Sequence, residues 1–203
     1  MRLLRTVSAK EIRGKICLLR VDFNIEGKGE HFRLKAALPT IEFLRKRGAK
    51  VLIISHRGRP AKRCAPEGDG CTVSAKDSLR MALSFLKTHF ATPITFAKPF
   101  NISELAKKLR AAKPGSLFLM ENIRLLEGEE EDSEALGKQL ATLGDIFIND
   151  AFSVCHRRNA SVTQIPRFLP SYAGLRLEKE LEVLGHVMRD AKQPLVVILG
   201  GAK

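Results

Sequence analysis

Short apolar runs alternate with amphipathic stretches along the whole of this 203-residue chain. A strand buried on both faces reads as an unbroken β-branched or aliphatic run, whereas the helix that carries the chain back shows a 3.6-residue period. Six runs have strand character, at 16–23, 51–55, 94–96, 117–120, 146–148 and 195–199. Between them, stretches at about 34–47, 75–89, 102–111, 133–141 and 175–189 have helical spacing. This alternation predicts an α/β fold: a three-layer α/β/α arrangement of Rossmann type, with an open, mainly parallel six-strand sheet.

Start and stop signals sharpen the helices. Ser74 with Asp77 is a near relative of a capping box, and Asn101 with Glu104 has the same reciprocal spacing. Gly48 fits a C-terminal stop, and Pro39 marks either the first turn of its helix or a kink. Residues 57–73 and the acidic run 127–132 read as loops. Pro170 and the Gln193-Pro194 pair bracket the last helix, so a boundary is expected near residue 190, with 195–203 opening a second domain.

Composition narrows the class. A hydrophobic share of 44% is enough for a proper core. The four cysteines, Cys17, Cys64, Cys71 and Cys155, show no CxxC or zinc-like pairing and read as reduced thiols of a cytosolic protein. The longest purely aliphatic run, 195–199, falls far short of the ~20 residues that span a bilayer, and the N-terminus has no signal-peptide run, so neither membrane nor export is expected. A net charge of +13 suits an anionic partner. With no Trp, a single Tyr and no RNP or zinc-finger spacing, base-stacking and base-reading hardware is missing, and nucleic acid is not the expected ligand.

In an open parallel sheet, ligands bind outside the carboxyl ends of the strands. The residues just after each strand pattern are Asp22 and Asn24, then His56, Arg57 and Arg59, then Asn122 and Arg124, then Asn149, Asp150, His156, Arg157 and Arg158, and finally Lys203. Arg33 opens the first helix, where backbone N–H groups also favour anions. Taken singly, Asp22 and Asn24 could cap turns, the histidines could be structural and the arginines could be surface charges; Gly-Gly-Ala-Lys matches neither phosphate-loop pattern. Their shared address is what chance does not supply. Several arginines on one rim repel one another unless an anion neutralises them, and the guanidinium fork grips phosphate and carboxylate oxygens in pairs. The residues therefore point to a small, multiply charged phosphorylated acid.

At these positions the chain resembles phosphoglycerate kinases, with "RVDFN", "RLKAALPTI", "GAKVLIISHRGRP", "LFLMENIR", "LGDIFINDAF", "CHR", "LEKELEVLG" and "PLVVILGGAK" following in the family's order. The resemblance implies two α/β lobes joined by a long helix, the first lobe binding 3-phosphoglycerate and the second binding ATP or ADP with Mg2+. Residues 1–170 would then form the substrate lobe, 171–192 the joining helix, and 193–203 the first strand and loop of a nucleotide lobe that continues beyond this chain. The implied reaction is reversible phosphoryl transfer between 1,3-bisphosphoglycerate and ADP in a cytoplasmic glycolytic enzyme, monomeric when complete, with this stretch inactive alone.

Carried across residue by residue, the resemblance puts Asp22 and Asn24 on the glycerate hydroxyl and carboxyl end. It puts Arg59, Arg124 and Arg157 on the 3-phosphate with His56 beside them, Arg33 on the transferring group, and Lys203 on that group and the nucleotide. Positioning plus cations on spreading negative charge is what phosphoryl transfer needs. No metal ligand is expected among these residues. Three features depart from the family: Asn24 and Arg33 are only nine positions apart, Arg57 stands where a leucine is usual, and "SVCHRRN" replaces a glycine-threonine start and a second histidine. The alternative is a basic, non-catalytic module for RNA or another polyanion, which would bind with steep salt dependence and no preference for a small phosphorylated acid.

Overall fold

The structure is a computed structural model describing residues 2–25, 31–61, 64–65, 72–98, 101–190, 194–196 and 198. Six parallel strands, β1 (Ile16–Arg20), β2 (Lys50–Ile54), β3 (Ile94–Ala97), β4 (Leu117–Met120), β5 (Ile146–Asn149) and β6 (Ser171–Ala173), lie in the order β3-β4-β2-β1-β5-β6. The helices are α1 (Ala9–Ile12), α2 (Phe32–Lys46), α3 (Arg80–His89), α4 (Ile102–Ala111), α5 (Glu134–Ala141) and α6 (Leu175–Asp190).

The two-residue period of the strands builds the layers. Cys17, Leu19, Val51, Ile53, Leu117 and Leu119 pack on one face with Leu34, Ile41 and Leu44 of α2 and Ala82, Leu83 and Leu86 of α3. Their neighbours Ile16, Leu18, Leu52, Ile54, Phe118 and Met120 face the other way, against Leu105 and Leu109 of α4 and Leu136 and Leu140 of α5. Side chains that alternate across a sheet bury both of its faces, which is why these strands read as unbroken apolar runs. After β1 the chain winds outward through β2, then returns past β1 to place β5 on its other side. That reversal opens a crevice at the carboxyl ends of β2, β1 and β5.

Several expectations are corrected. The sixth strand is not 195–199: Leu195, Val196 and Ile198 are exposed and outside any strand, and Val197 and Leu199 lie outside the described residues. The sheet is completed by Ser171–Ala173, which pairs with β5 and is flanked by Leu3, with the Ala173 N–H donating to the Arg2 carbonyl at 2.8 Å. Three residues carry no apolar period, so only pairing reveals that strand. Helix α3 begins at Arg80, not near 75, because Ser74 closes a turn of its own: its carbonyl accepts the Ser78 N–H at 3.1 Å and its hydroxyl donates to Asp77 at 3.0 Å.

Helix α1, capped reciprocally by Ser8 and Glu11, was not anticipated; four residues are too few to show a period. Pro39 sits inside α2, where its missing N–H leaves the Lys35 carbonyl without its usual helical donor. Asn101 caps α4 from one side, its side-chain oxygen accepting the Glu104 N–H at 2.8 Å while the Glu104 carboxylate pairs with Lys108, and Gly48 ends α2 with φ of 76°. Cys17 and Cys155 are free thiols, but Cys64 is disulfide-bonded, against the expectation of reduced cysteines throughout. Among the described residues no helix is long and apolar enough to cross a membrane.

Candidate anion site at the strand ends

Four loops meet at the carboxyl edge of the sheet, and their backbone is cross-tied before any ligand is considered. Gly58, just after β2, is the knot. Its N–H donates to Asn24 Oδ1 at 2.7 Å, binding the loop after β1, and its carbonyl accepts Arg124 Nη1 at 2.7 Å, binding the loop after β4. It holds φ at 58°, in the left-handed region where a side chain would be strained. Asn122 adds a second tie, accepting the Arg57 N–H at 3.1 Å and donating to the carbonyls of Arg57 and Asp77 at 2.7 and 2.8 Å.

Within this frame Asp22 is 5% exposed, and its carboxylate accepts from three neighbours. One oxygen accepts the Asn24 N–H at 2.9 Å; the other accepts Ser153 Oγ at 2.5 Å and forms a close ion pair with Arg33 in the first turn of α2. The short connection from Asn24 therefore does not keep Arg33 away: its guanidinium reaches the loop after β1 while remaining partly exposed.

The cations fall in a graded set. Arg124 is buried, Arg157 half-buried and Arg59 exposed. Their fields overlap. Burial holds the Arg124 guanidinium below its ordinary pKa, with repulsion from Arg157 and Arg59 acting the same way and Glu130 and Glu129 opposing. The buried His56 ring is pushed far below the usual histidine range by desolvation, then by the charges of Arg20, Arg124, Arg157 and Arg33. An anion bound among these guanidiniums would relieve the repulsion that Arg157 and Arg59 exert on Arg124.

The structure divides the remaining candidates. Arg57 turns inward as a brace, donating to the carbonyls of Ile25, Ala75 and Ser78 at 3.3, 3.3 and 2.9 Å, so it is not part of the cationic rim. Asp150 is buried and caps α6, accepting the Arg176 and Leu177 N–H groups at 2.9 and 3.0 Å. Gly174 is required beside it, since a Cβ there would lie 2.3 Å from Asp150 Oδ1. Asn149 accepts the Ala151 N–H at 3.0 Å; Arg158 is exposed and paired with Asp132, and His156 is exposed. Lys203 lies outside the described residues.

Sequence reasoning missed three buried groups. Glu121 accepts the Ser78 hydroxyl at 2.6 Å and the Leu79 N–H at 2.7 Å, fixing the start of α3 against β4. Arg20 lies against His56, and the buried Glu129 stands beside Arg20. The available signal was a charged residue placed directly on an apolar strand run, as in "CLLR" and "LFLME". A separate cleft of about 490 Å³ between α2 and α6, lined by Phe32, Pro39, Leu175 and Val183 among others, contains none of the strand-end cations. Among the described residues there is no cluster of three or more His, Cys, Asp or Glu that could hold a metal ion.

Comparison with known proteins agrees with this architecture. The family model for phosphoglycerate kinase matches residues 7–203. Phosphoglycerate kinase of Coprothermobacter proteolyticus is 40% identical over 98% of this chain and half of its own length, and that of Caulobacter vibrioides is 36% identical over 98% and 49%. Among solved structures, phosphoglycerate kinase from Pyrococcus horikoshii superposes with a TM-score of 0.83 at 29% identity, covering 100% of this chain and 49% of that one. The enzyme from Coxiella burnetii gives 0.76 at 28%, covering 94% and 45%. The alternative of a non-catalytic polyanion-binding module finds no support in these comparisons. The chain spans about half the length of the curated relatives it matches, and with a six-stranded parallel sheet and a family match that runs from residue 7 to residue 203 it belongs to the phosphoglycerate kinase family.

Proposed function

We propose that this chain supplies the 3-phosphoglycerate site of an enzyme that transfers a phosphoryl group reversibly between 1,3-bisphosphoglycerate and ADP. The observation that carries the reading is the gathering of Arg124, Arg157 and Arg33 around the neutral His56, with Arg59 acting on Arg124, at the carboxyl edge of the sheet. Arg59, Arg124 and Arg157 take the 3-phosphate, Asp22 and Asn24 the hydroxyl and carboxyl end, and Arg33 the transferring group. Asp22 is suited to a hydroxyl because it already accepts one from Ser153. No general base is needed, since an ionised carboxylate is itself the nucleophile, and the cations act by position and charge.

The nucleotide, its Mg2+ and Lys203 complete this assignment. In this reading Mg2+ is held mainly by the part of the relatives' length that this chain does not span. In this reading residues 1–170 are the substrate lobe, 171–192 the joining helix and 193–203 the beginning of the nucleotide lobe. The whole enzyme works as a cytoplasmic monomer in glycolysis, and this stretch assayed alone turns over nothing.

The test is an NMR titration of the chain that follows the arginine Nε–H signals with 3-phosphoglycerate and, in parallel, with glycerate, which lacks the phosphate. Saturable shifts at Arg59, Arg124 and Arg157 with the first and not the second are expected. Equal, non-saturating shifts with both would refute the site.

A further inference from the structure

Beneath the cationic rim lies a chain of buried polar groups that the proposed reaction does not use directly. Arg20 ends β1 with its side chain 1% exposed, in a strand otherwise made of apolar residues. All of its donor edges are engaged: Nε donates to Ser161 Oγ at 2.9 Å, Nη1 to the Val21 carbonyl at 2.6 Å, and Nη2 contacts His56 Nδ1 at 3.3 Å. Ser161 passes its own proton on, to Glu129 Oε1 at 2.6 Å, while its N–H donates to Oε2 at 2.8 Å. Glu129 is fully buried and stands 4.0 Å from Arg20 Nη2.

The direction of these bonds is fixed by chemistry. A guanidinium has five donors and no acceptor, so the His56 nitrogen facing it must offer a lone pair. A neutral imidazole with Nδ1 as acceptor carries its single proton on Nε2. Protonation of Nδ1 would set two donors against each other at 3.3 Å in a desolvated site. The charges that act on the ring are those of Arg20 from β1, Arg124 from the loop after β4, Arg157 from the loop after β5 and Arg33 from α2, while the Glu129 and Asp22 carboxylates lie against Arg20 and Arg33. Among the described residues the contact to the ring is made at Nδ1, leaving Nε2 facing the rim. An anion gathered by the surrounding arginines would therefore meet one neutral N–H donor of fixed orientation rather than a further mobile cation.

We propose that Arg20, braced by the Ser161–Glu129 pair, is a positioning residue that holds His56 in its Nε2–H tautomer so that this N–H donates to an anionic oxygen of the phosphorylated acid. The inference rests on the functional reading above for the identity of the ligand, but the tautomer itself does not. Glu129 supplies the counter-charge that lets Arg20 remain ionised where water cannot reach it, and Ser161 orients both.

The measurement is the side-chain ¹⁵N spectrum of the histidines in the complete chain, assigned to His56 by His56→Gln. Wild type should show His56 protonated at Nε2 and bare at Nδ1 throughout about pH 5–8, where an ordinary histidine titrates. In the double variant R20M/E129Q, which removes both buried charges and keeps similar volumes, Nδ1 loses its donor and both tautomers should appear. The affinity for 3-phosphoglycerate should fall about tenfold, the value of one hydrogen bond to a charged group. Ser161→Ala, a milder change, should give the same tautomer mixing in smaller proportion if the double variant does not fold. A cationic or Nδ1–H His56 in wild type, or a pure Nε2–H tautomer persisting in the folded double variant, would overturn the proposal. A wild-type ring with the expected tautomer and no response to 3-phosphoglycerate would refute the functional reading and leave the role of Arg20 on His56 standing.

Discussion

Replacing Arg124 by alanine separates binding from folding, because this side chain serves both in opposite senses. It is 3% exposed and donates to the Gly58 carbonyl at 2.7 Å, with Glu130 3.4 Å from its Nε. It is also crowded by burial and by the charges of Arg157 and Arg59. Losing the Gly58 bond costs about 1 kcal/mol, and relief of the repulsion offsets part of that, so the variant should unfold within about 1 kcal/mol of wild type. Binding has no such offset. Loss of one charge-assisted contact to the phosphate should cost about 1.5–3 kcal/mol, or roughly 10- to 100-fold in Kd. At a 3-phosphoglycerate concentration of about 100 times the wild-type Kd, ligand adds about 2.7 kcal/mol to wild-type stability and only about 0.4–1.4 kcal/mol to the variant. For a chain of this size that is a difference of roughly 2–4 °C in Tm per kcal/mol. Calorimetric titration gives Kd and thermal unfolding with and without ligand gives the shifts. Equal Kd values, or equal ligand-induced shifts, would refute the phosphate clamp.

Arg33→Ala, made in a version that includes the remaining half of the family's length, should lower kcat far more than it raises KM if Arg33 serves the transferring group; an effect confined to KM would make it a ground-state anchor. Gly137→Ala in α5 would set a Cβ 2.2 Å from that of Gln164, so despite better helix propensity it should destabilise by about 1–3 kcal/mol in urea unfolding, and an unchanged midpoint would contradict the packing. Burial holds the Asp150 carboxyl above its ordinary range, against the Thr40 hydroxyl and the N–H groups of Leu177 and Arg176. The folded state thus keeps that proton to higher pH than the unfolded chain, and this group's contribution to stability falls as pH rises from about 4 through the folded pKa. Asp150→Asn keeps the acceptor for α6 and cannot ionise, so unfolding measured across that window should show a flatter pH dependence and no loss of stability at neutral pH; a steeper slope would refute the sign.

The strands that pack on both faces were legible because their residues carry the signal themselves: 51–54 and 117–120 are apolar at every position, and such runs have one low-energy use in a chain of this composition. Caps with a local mechanism, such as Asn101 on α4, were legible for the same reason, since donor and acceptor lie three residues apart. The addresses of His56, Arg59, Arg124 and Arg157 followed from one rule, that loops after parallel strands share an edge. Only the tertiary structure decided which of the strand-end charges stay at the open edge and which turn inward. Arg57 and Asp150 have the same local sequence credentials as Arg59 and Asp22, yet one braces three carbonyls and the other caps α6, because partners 18 to 32 residues away lie in reach once the sheet has formed. The three-residue β6 and the Arg20–Ser161–Glu129 brace were likewise beyond sequence reasoning, since β6 exists only by pairing with β5 and the brace joins residues up to 141 positions apart. Apolar periodicity is a property of one segment and can be read there, whereas a buried charge is tolerated only where distant chain brings its counter-charge and donors, and that is settled when the strands take their order in space.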